Sequence, residues 1–268
     1  MQQAVDFLEE CNSLADLLHP EDDAIFDRVT QFKGWTINDV IGHLHMFNVA
    51  ASKALAGDQQ FENFVSPVRK ALAAGKSLLE PQNEWLNGLS GRPLFDDWFA
   101  QCQQTAERYA TINPKQRITW VGPDMSARSS ITARQMETWA HGQEVFDSLS
   151  ATRKDHDRIK NIAHLGVNTF GWTFANRKLE PPQSPPRVAL QAPSGEHWVW
   201  NEESENGAVE GTATEFCQIV TQTRNVKDTA VTTTGDAATF WMENAQCFAG
   251  KPVDPPAPGT RGPTRIDQ

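Results

Sequence analysis

Two segments far apart in the chain carry side chains that could together hold one metal ion. GWTINDVIGHLH contains His43, and RQMETWAHGQEVFD contains Glu137 and His141. Two imidazoles and one carboxylate suit a divalent cation and leave coordination positions open for water or substrate. Open positions mean chemistry rather than support for folding alone. Such an ion acidifies bound water, polarises a carbonyl or stabilises a thiolate. Each residue also has a plainer role open to it. His43 could be a core-edge histidine hydrogen-bonded to a neighbour, and Glu137 with His141 could be a solvated i,i+4 pair on a helix surface.

The elements that must position these residues are helices. Apolar residues at spacings of three and four predict helices over roughly 3–19, 36–57, 60–80, 93–110 and 131–150, with Gly, Pro or polar breaks between them. Thr36 and Asp39 form a capping-box pattern at the start of the second, and Trp35 is placed to staple against Val40. With Val40 at zero and about 100° per residue, Leu44 and Phe47 lie near zero, His43 lies on the flank of that apolar face, and His45 points away from it. The wheel therefore predicts His43 inward and His45 outward. On the last helix Arg134, Glu137, His141, Glu144 and Ser148 form a polar stripe, with Val145 and Leu149 beyond it. A polar stripe between apolar sides fits a helix that lines an internal pocket.

The segment 118–131 reads as an extended loop. The run IAHLGVNTFGWTFANR is helix-like, and a proline-rich break follows at 179–186. RVALQAP, HWVWN and GAVEGTATEF then alternate like strands, with a hairpin turn at SGE. EFCQIVTQTRN predicts a helix, TAVTTTG a strand and DAATFWMENAQCFAG a closing helix. The expected division is a helical bundle over 1–152, an α+β domain over 153–250 and a proline-rich extended tail over 251–268.

Composition narrows the function classes. The net charge of −10 over 268 residues, with no basic run, argues against nucleic-acid binding. No apolar stretch reaches the roughly 20 residues of a membrane span. The acidic N-terminus lacks the pattern of a secretion signal. A cytoplasmic protein with a small-molecule substrate is the expectation, and a homodimer is left open. The four cysteines are scattered singly, so neither a zinc ribbon nor a redox motif is indicated, and buried thiols are expected.

GWTINDVIGHLH and ETWAHGQEVFD resemble the two signature stretches of the DinB-like metal-binding superfamily, and most closely its mycothiol-dependent maleylpyruvate isomerase branch. The stretch from VALQAPSGEHWVWN to NAQCFAG is similar to a subfamily labelled as wyosine base formation proteins. The resemblance implies an α + (α+β) fold, with an N-terminal DinB-like four-helix bundle and a smaller sterol-carrier-protein-like α+β domain. It also implies a divalent metal, usually zinc, on the positions of His43, Glu137 and His141. The resembled isomerase uses a low-molecular-weight thiol, whose thiolate adds to a conjugated double bond and leaves after rotation. An arginine of its C-terminal domain faces the metal, and Arg224 is the position most like it. Arg134 is a second candidate for an anion or cofactor, and Glu144 and His45 for proton transfer.

The expected function is a metal-dependent isomerase or thiol transferase acting on a small unsaturated or electrophilic acid or acyl compound. Two other readings compete. One is metal-water chemistry, a hydrolase or hydratase. The other is a non-catalytic ligand-binding protein with a structural metal, which the abundant aromatics would also suit. The charge argues against the tRNA role that the subfamily label suggests.

Overall fold

The computed structural model describes residues 1–263, and the end of the proline-rich tail, 264–268, lies outside the described residues. The chain divides into two compact units, Met1–Ser148 and Leu149–Gln268. No helix among the described residues is long and apolar enough to cross a membrane.

The first unit holds α1 (Gln2–Leu18), α2 (Ile37–Ala56), α3 (Asp58–Ala73), α4 (Leu79–Leu86), α5 (Gly91–Thr111) and α6 (Ala127–Ser148). Both α1 and α2 pack against α5 and α6, which closes a four-helix ring, while α3 and α4 lean on α2. Helical spacing builds the core. Phe7, Cys11, Leu14 and Leu18 of α1 meet Phe95, Trp98, Cys102 and Tyr109 of α5, all of them buried. Removing such side chains from water stabilises the bundle by about 1.5–3 kcal/mol each. In α6 the polar residues are buried along with the apolar ones over most of the helix. Polar groups do not enter a core without partners or a ligand to satisfy them, so this helix marks the functional interior.

Two expectations about this unit change. The single helix expected over 60–80 is broken. Gly75 takes φ +82°, a left-handed conformation open to glycine, and the backbone N–H groups of Gly75 and Lys76 close onto Leu72 and Ala71. The chain restarts when Glu80 accepts a hydrogen bond from the Ser77 backbone at 2.9 Å, and α4 follows. The extended loop expected over 118–131 is shorter. Strands β1 (Arg117–Ile118) and β2 (Met125–Ser126) pair antiparallel, and α6 begins at Ala127, where Ser126 Oγ accepts from the Ser129 N–H at 3.1 Å.

The second unit holds α7 (Lys160–Asn168), α8 (Phe170–Asn176), β3 (Arg187–Gln191), β4 (His197–Trp200), β5 (Ala208–Thr212), α9 (Ala213–Val220), β6 (Thr232–Thr234) and α10 (Asp236–Asn244). Its four-stranded sheet has the order β4-β3-β5-β6. β3 and β4 form the antiparallel hairpin across the SGE turn, β3 and β5 run parallel, and β6 is antiparallel to β5. Register puts Val188 beside Val209 and Leu190 beside Trp198 on one buried face, where α9 packs on β3 and β5. The chain is thus a helical bundle with a smaller α+β unit. The proline-rich segment is tied to this second unit: Arg177 Nη2 donates to the Val253 carbonyl at 2.9 Å, and the Gly259 N–H donates to Asp228 at 2.9 Å.

Candidate metal centre

Helix α2 starts where its capping box says it should. Thr36 Oγ1 accepts from the Asp39 N–H at 3.1 Å, and Asp39 accepts from the Thr36 N–H at 2.9 Å. That start sets the phase that turns His43 toward α6. On α6 the i,i+4 spacing puts Glu137 and His141 on one face. Glu137 Oε2 lies 3.5 Å from His43 Nε2 and 3.5 Å from His141 Nε2. One donor atom from each of the three residues falls within 4.8 Å of the others.

These separations are long for charge-assisted hydrogen bonds, which run at about 2.7–2.9 Å. They match the edge of a tetrahedron around zinc, about 3.4 Å for ligand bonds of about 2.0–2.2 Å. The protonation states fit a cation as well. Burial drives the His43 pKa down to about 4, against a smaller opposing pull from Glu137, so its imidazole is neutral and free to ligate. Burial pushes the Glu137 carboxyl up, but hydrogen bonds from His141 and His43 and the charge of Arg134 outweigh it, and the group stays ionised well below the usual carboxylate range. The donor set therefore suits a divalent metal.

Aromatic rings frame the triad. Trp35 stacks on His141 at 6.0 Å between centroids and lies 5.5 Å from His43, while Phe32 meets the His141 ring edge-on at 4.9 Å. Trp35 was expected to serve only as a staple on Val40, and nothing in the local pattern announced Phe32. The signal available was the aromatic cluster FKGW directly before the capping box. His43 Nδ1 is buried with no hydrogen-bond partner among the described residues, so packing on Trp35 and on Phe47, 4.8 Å away, orients the ring.

His45 corrects the wheel. It is buried, 8% exposed, with its ring 5.2 Å from Trp85 of α4. It points away from the triad as expected, but into a second packing layer rather than into water, because α4 covers that side of α2. Burial lowers its pKa.

Arg134 is 4% exposed, with its guanidinium carbon 5.2 Å from the Trp120 ring and 5.7 Å from the Phe47 ring. Its Nε and Nη1 are sealed from solvent and have no hydrogen-bond partner among the described residues. Burial lowers its pKa, with the charges of Glu137 and Tyr109 acting in the opposite direction. Ring contacts of this kind are worth about 0.5–2 kcal/mol each, against the several kcal/mol that desolvating an ion costs. Glu144, nearly two turns beyond Glu137 on α6, is fully enclosed. Arg224 belongs to the second unit. It lies in the turn after α9, buried, with Nη1 donating to the Thr223 carbonyl at 2.8 Å. The helix expected over 215–225 stops at Val220 because Gln222 takes φ +58°.

Residues 7–146 match the family described as the mycothiol maleylpyruvate isomerase N-terminal domain. The chain belongs to the mycothiol maleylpyruvate isomerase family. Two uncharacterized proteins from two strains of Mycobacterium tuberculosis are each 36% identical to it over 223 residues, 83% of this chain and 86% of theirs. The crystal structure of the mycothiol-dependent maleylpyruvate isomerase is similar in fold, with a TM-score of 0.53 at 12% identity, covering 94% of this chain and 95% of that one. A histidine-to-alanine variant of the same isomerase matches equally well. At that identity the likeness to the isomerase is one of fold.

Proposed function

We propose that the protein is a cytoplasmic, zinc-dependent enzyme that uses a low-molecular-weight thiol to isomerise a small unsaturated acid, or to transfer the thiol to an electrophilic acyl compound. The observation that carries this reading is the triad itself: two imidazoles, each 3.5 Å from one ionised carboxylate, with all three donor atoms within 4.8 Å of one another inside the bundle of this family. Membership of a family named for a mycothiol-using isomerase supports the thiol. A divalent metal held by His43, Glu137 and His141 supplies Lewis acidity and lowers the pKa of a thiol or water beside it.

The chain's own residues do the rest. Trp35 and Phe32 exclude water from the ligand histidines and hold the rings in place. Arg134 binds an anionic group of cofactor or substrate. Glu144 carries a proton to or from the reacting carbon skeleton. In the isomerisation the thiolate adds to the conjugated double bond, the new single bond rotates, and elimination returns thiolate and the trans alkene. No oxidant or reductant is consumed.

Metal analysis with turnover tests the reading. The full chain should take up stoichiometric zinc, and His43→Ala should weaken that uptake by more than roughly 100-fold, beyond what the loss of an outer-shell partner costs. Zinc-loaded protein should isomerise a cis-unsaturated 4-oxo acid only when thiol is present. A His43→Ala chain that still holds stoichiometric zinc sinks the metal centre. Turnover indifferent to thiol replaces the isomerase with a hydrolase or hydratase.

A further inference from the structure

We infer that the Arg134 guanidinium is a carboxylate-binding subsite built into the bundle, one helical turn from Glu137, and that the site takes an organic acid by its carboxylate end. The inference deepens the proposed function and rests on it for the chemistry next door, but the subsite consists of residues outside the ligand set.

Four observations converge. Arg134 is more than nine-tenths buried, yet no carboxylate among the described residues lies within ion-pair distance of it. Its Nε and Nη1 donors are satisfied by nothing among the described residues. Its guanidinium carbon lies 5.2 Å from the Trp120 ring and 5.7 Å from the Phe47 ring, and the two rings are 6.5 Å apart, so both stand on one side of the guanidinium and neither supplies an acceptor to its donors. The wall is continuous with the triad: Phe47 lies 4.8 Å from the His43 ring, and Trp120 is anchored by stacking on Phe61 at 5.5 Å.

With both rings on one side and its Nε and Nη1 donors unmet, the planar guanidinium fork is the group that grips a planar carboxylate at both oxygens. At i and i+3 on α6, Arg134 and Glu137 are near neighbours on the helix surface. An acid seated on Arg134 therefore extends its next atoms toward the ligand histidines. The Trp120 and Arg134 side chains together would select for a flat anion over a neutral compound of the same shape.

Calorimetric titration of the zinc-loaded full chain with pyruvate and with pyruvamide, its neutral isostere, tests this. Pyruvate should bind tighter by about tenfold or more, the scale of charge-assisted hydrogen bonds. Arg134→Met should erase that preference while zinc stays stoichiometric. A merely structural role would weaken both probes alike and leave their ratio unchanged, and that result overturns the inference. So does phosphate binding tighter than pyruvate in the unaltered chain. If Arg134→Met fails to fold, Arg134→Lys decides: it keeps the charge and loses the planar fork, so the preference should drop, and an undiminished preference refutes the subsite. Failure of the metal reading is distinguishable. A chain that takes up no zinc refutes the centre, whereas an Arg134-dependent preference for pyruvate in that same metal-free chain still supports the subsite.

Discussion

At the residue scale, His43 shows how burial prepares a ligand. Its pKa falls from 6.5 to about 4 because the ring is enclosed. In the metal-free protein this has a definite sign. The unfolded chain binds a proton near pH 6.5 that the folded chain refuses until about pH 4, so the stability His43 allows is complete above 6.5 and declines as pH falls toward 4. That gap corresponds to about 3 kcal/mol. Glu137, held well below the usual range, acts in the same direction at lower pH. Urea denaturation of chelator-treated protein between about pH 7.5 and about pH 5 should show this loss, and His43→Gln should flatten the profile. Equal slopes in the two proteins would mean that His43 is not proton-excluding. The same enclosure operates on Arg134, a buried cation beside two rings that makes no ion pair with a carboxylate among the described residues.

At the element scale, α2 joins local signals to the site. Its capping box fixes where the helix begins, and seven residues later the helix delivers His43. Gly42, directly before His43, lets α4 approach: a Cβ there would meet Gln82 Nε2 and Leu86 Cδ1 at 2.9 Å. Gln82 in turn donates to the Asp39 carbonyl at 2.9 Å, so α4 braces the first turn that the box starts. Thr36→Ala removes the cap and should destabilise the first unit by about 1 kcal/mol. Chemical denaturation followed by tryptophan emission measures this, and an unchanged midpoint would show that α4 alone holds the start of α2. The expected 60–80 helix failed at this scale. Its apolar periodicity continues past residue 75, but the backbone there turns left-handed, and the S-x-x-E pattern at 77–80 was the sign of a new helix.

At the scale of the molecule, the triad and the four ring helices all belong to Met1–Ser148. A fragment ending at residue 148 should therefore keep its helical circular dichroism and take up the same zinc per chain as the full protein. A folded fragment that binds no zinc would contradict the assignment of all three ligands to this unit. The second unit has its own sheet and its own buried face of Val188, Leu190, Trp198 and Val209, so the two halves have separate reasons to fold.

What the sequence alone determined is what short-range physics controls. Capping chemistry set the start of α2, helical period set the side on which His43 lies, and i,i+4 spacing paired Glu137 with His141. Period-two alternation and the SGE turn set the hairpin of the second unit. Only the tertiary structure decided that His43 meets a pair 94 residues away, that His45 is covered by α4, and that Trp35, Phe32, Phe47 and Trp120 wall the site. Those contacts depend on how helices pack against one another, and no period within a single helix encodes the neighbour that will lie across from it.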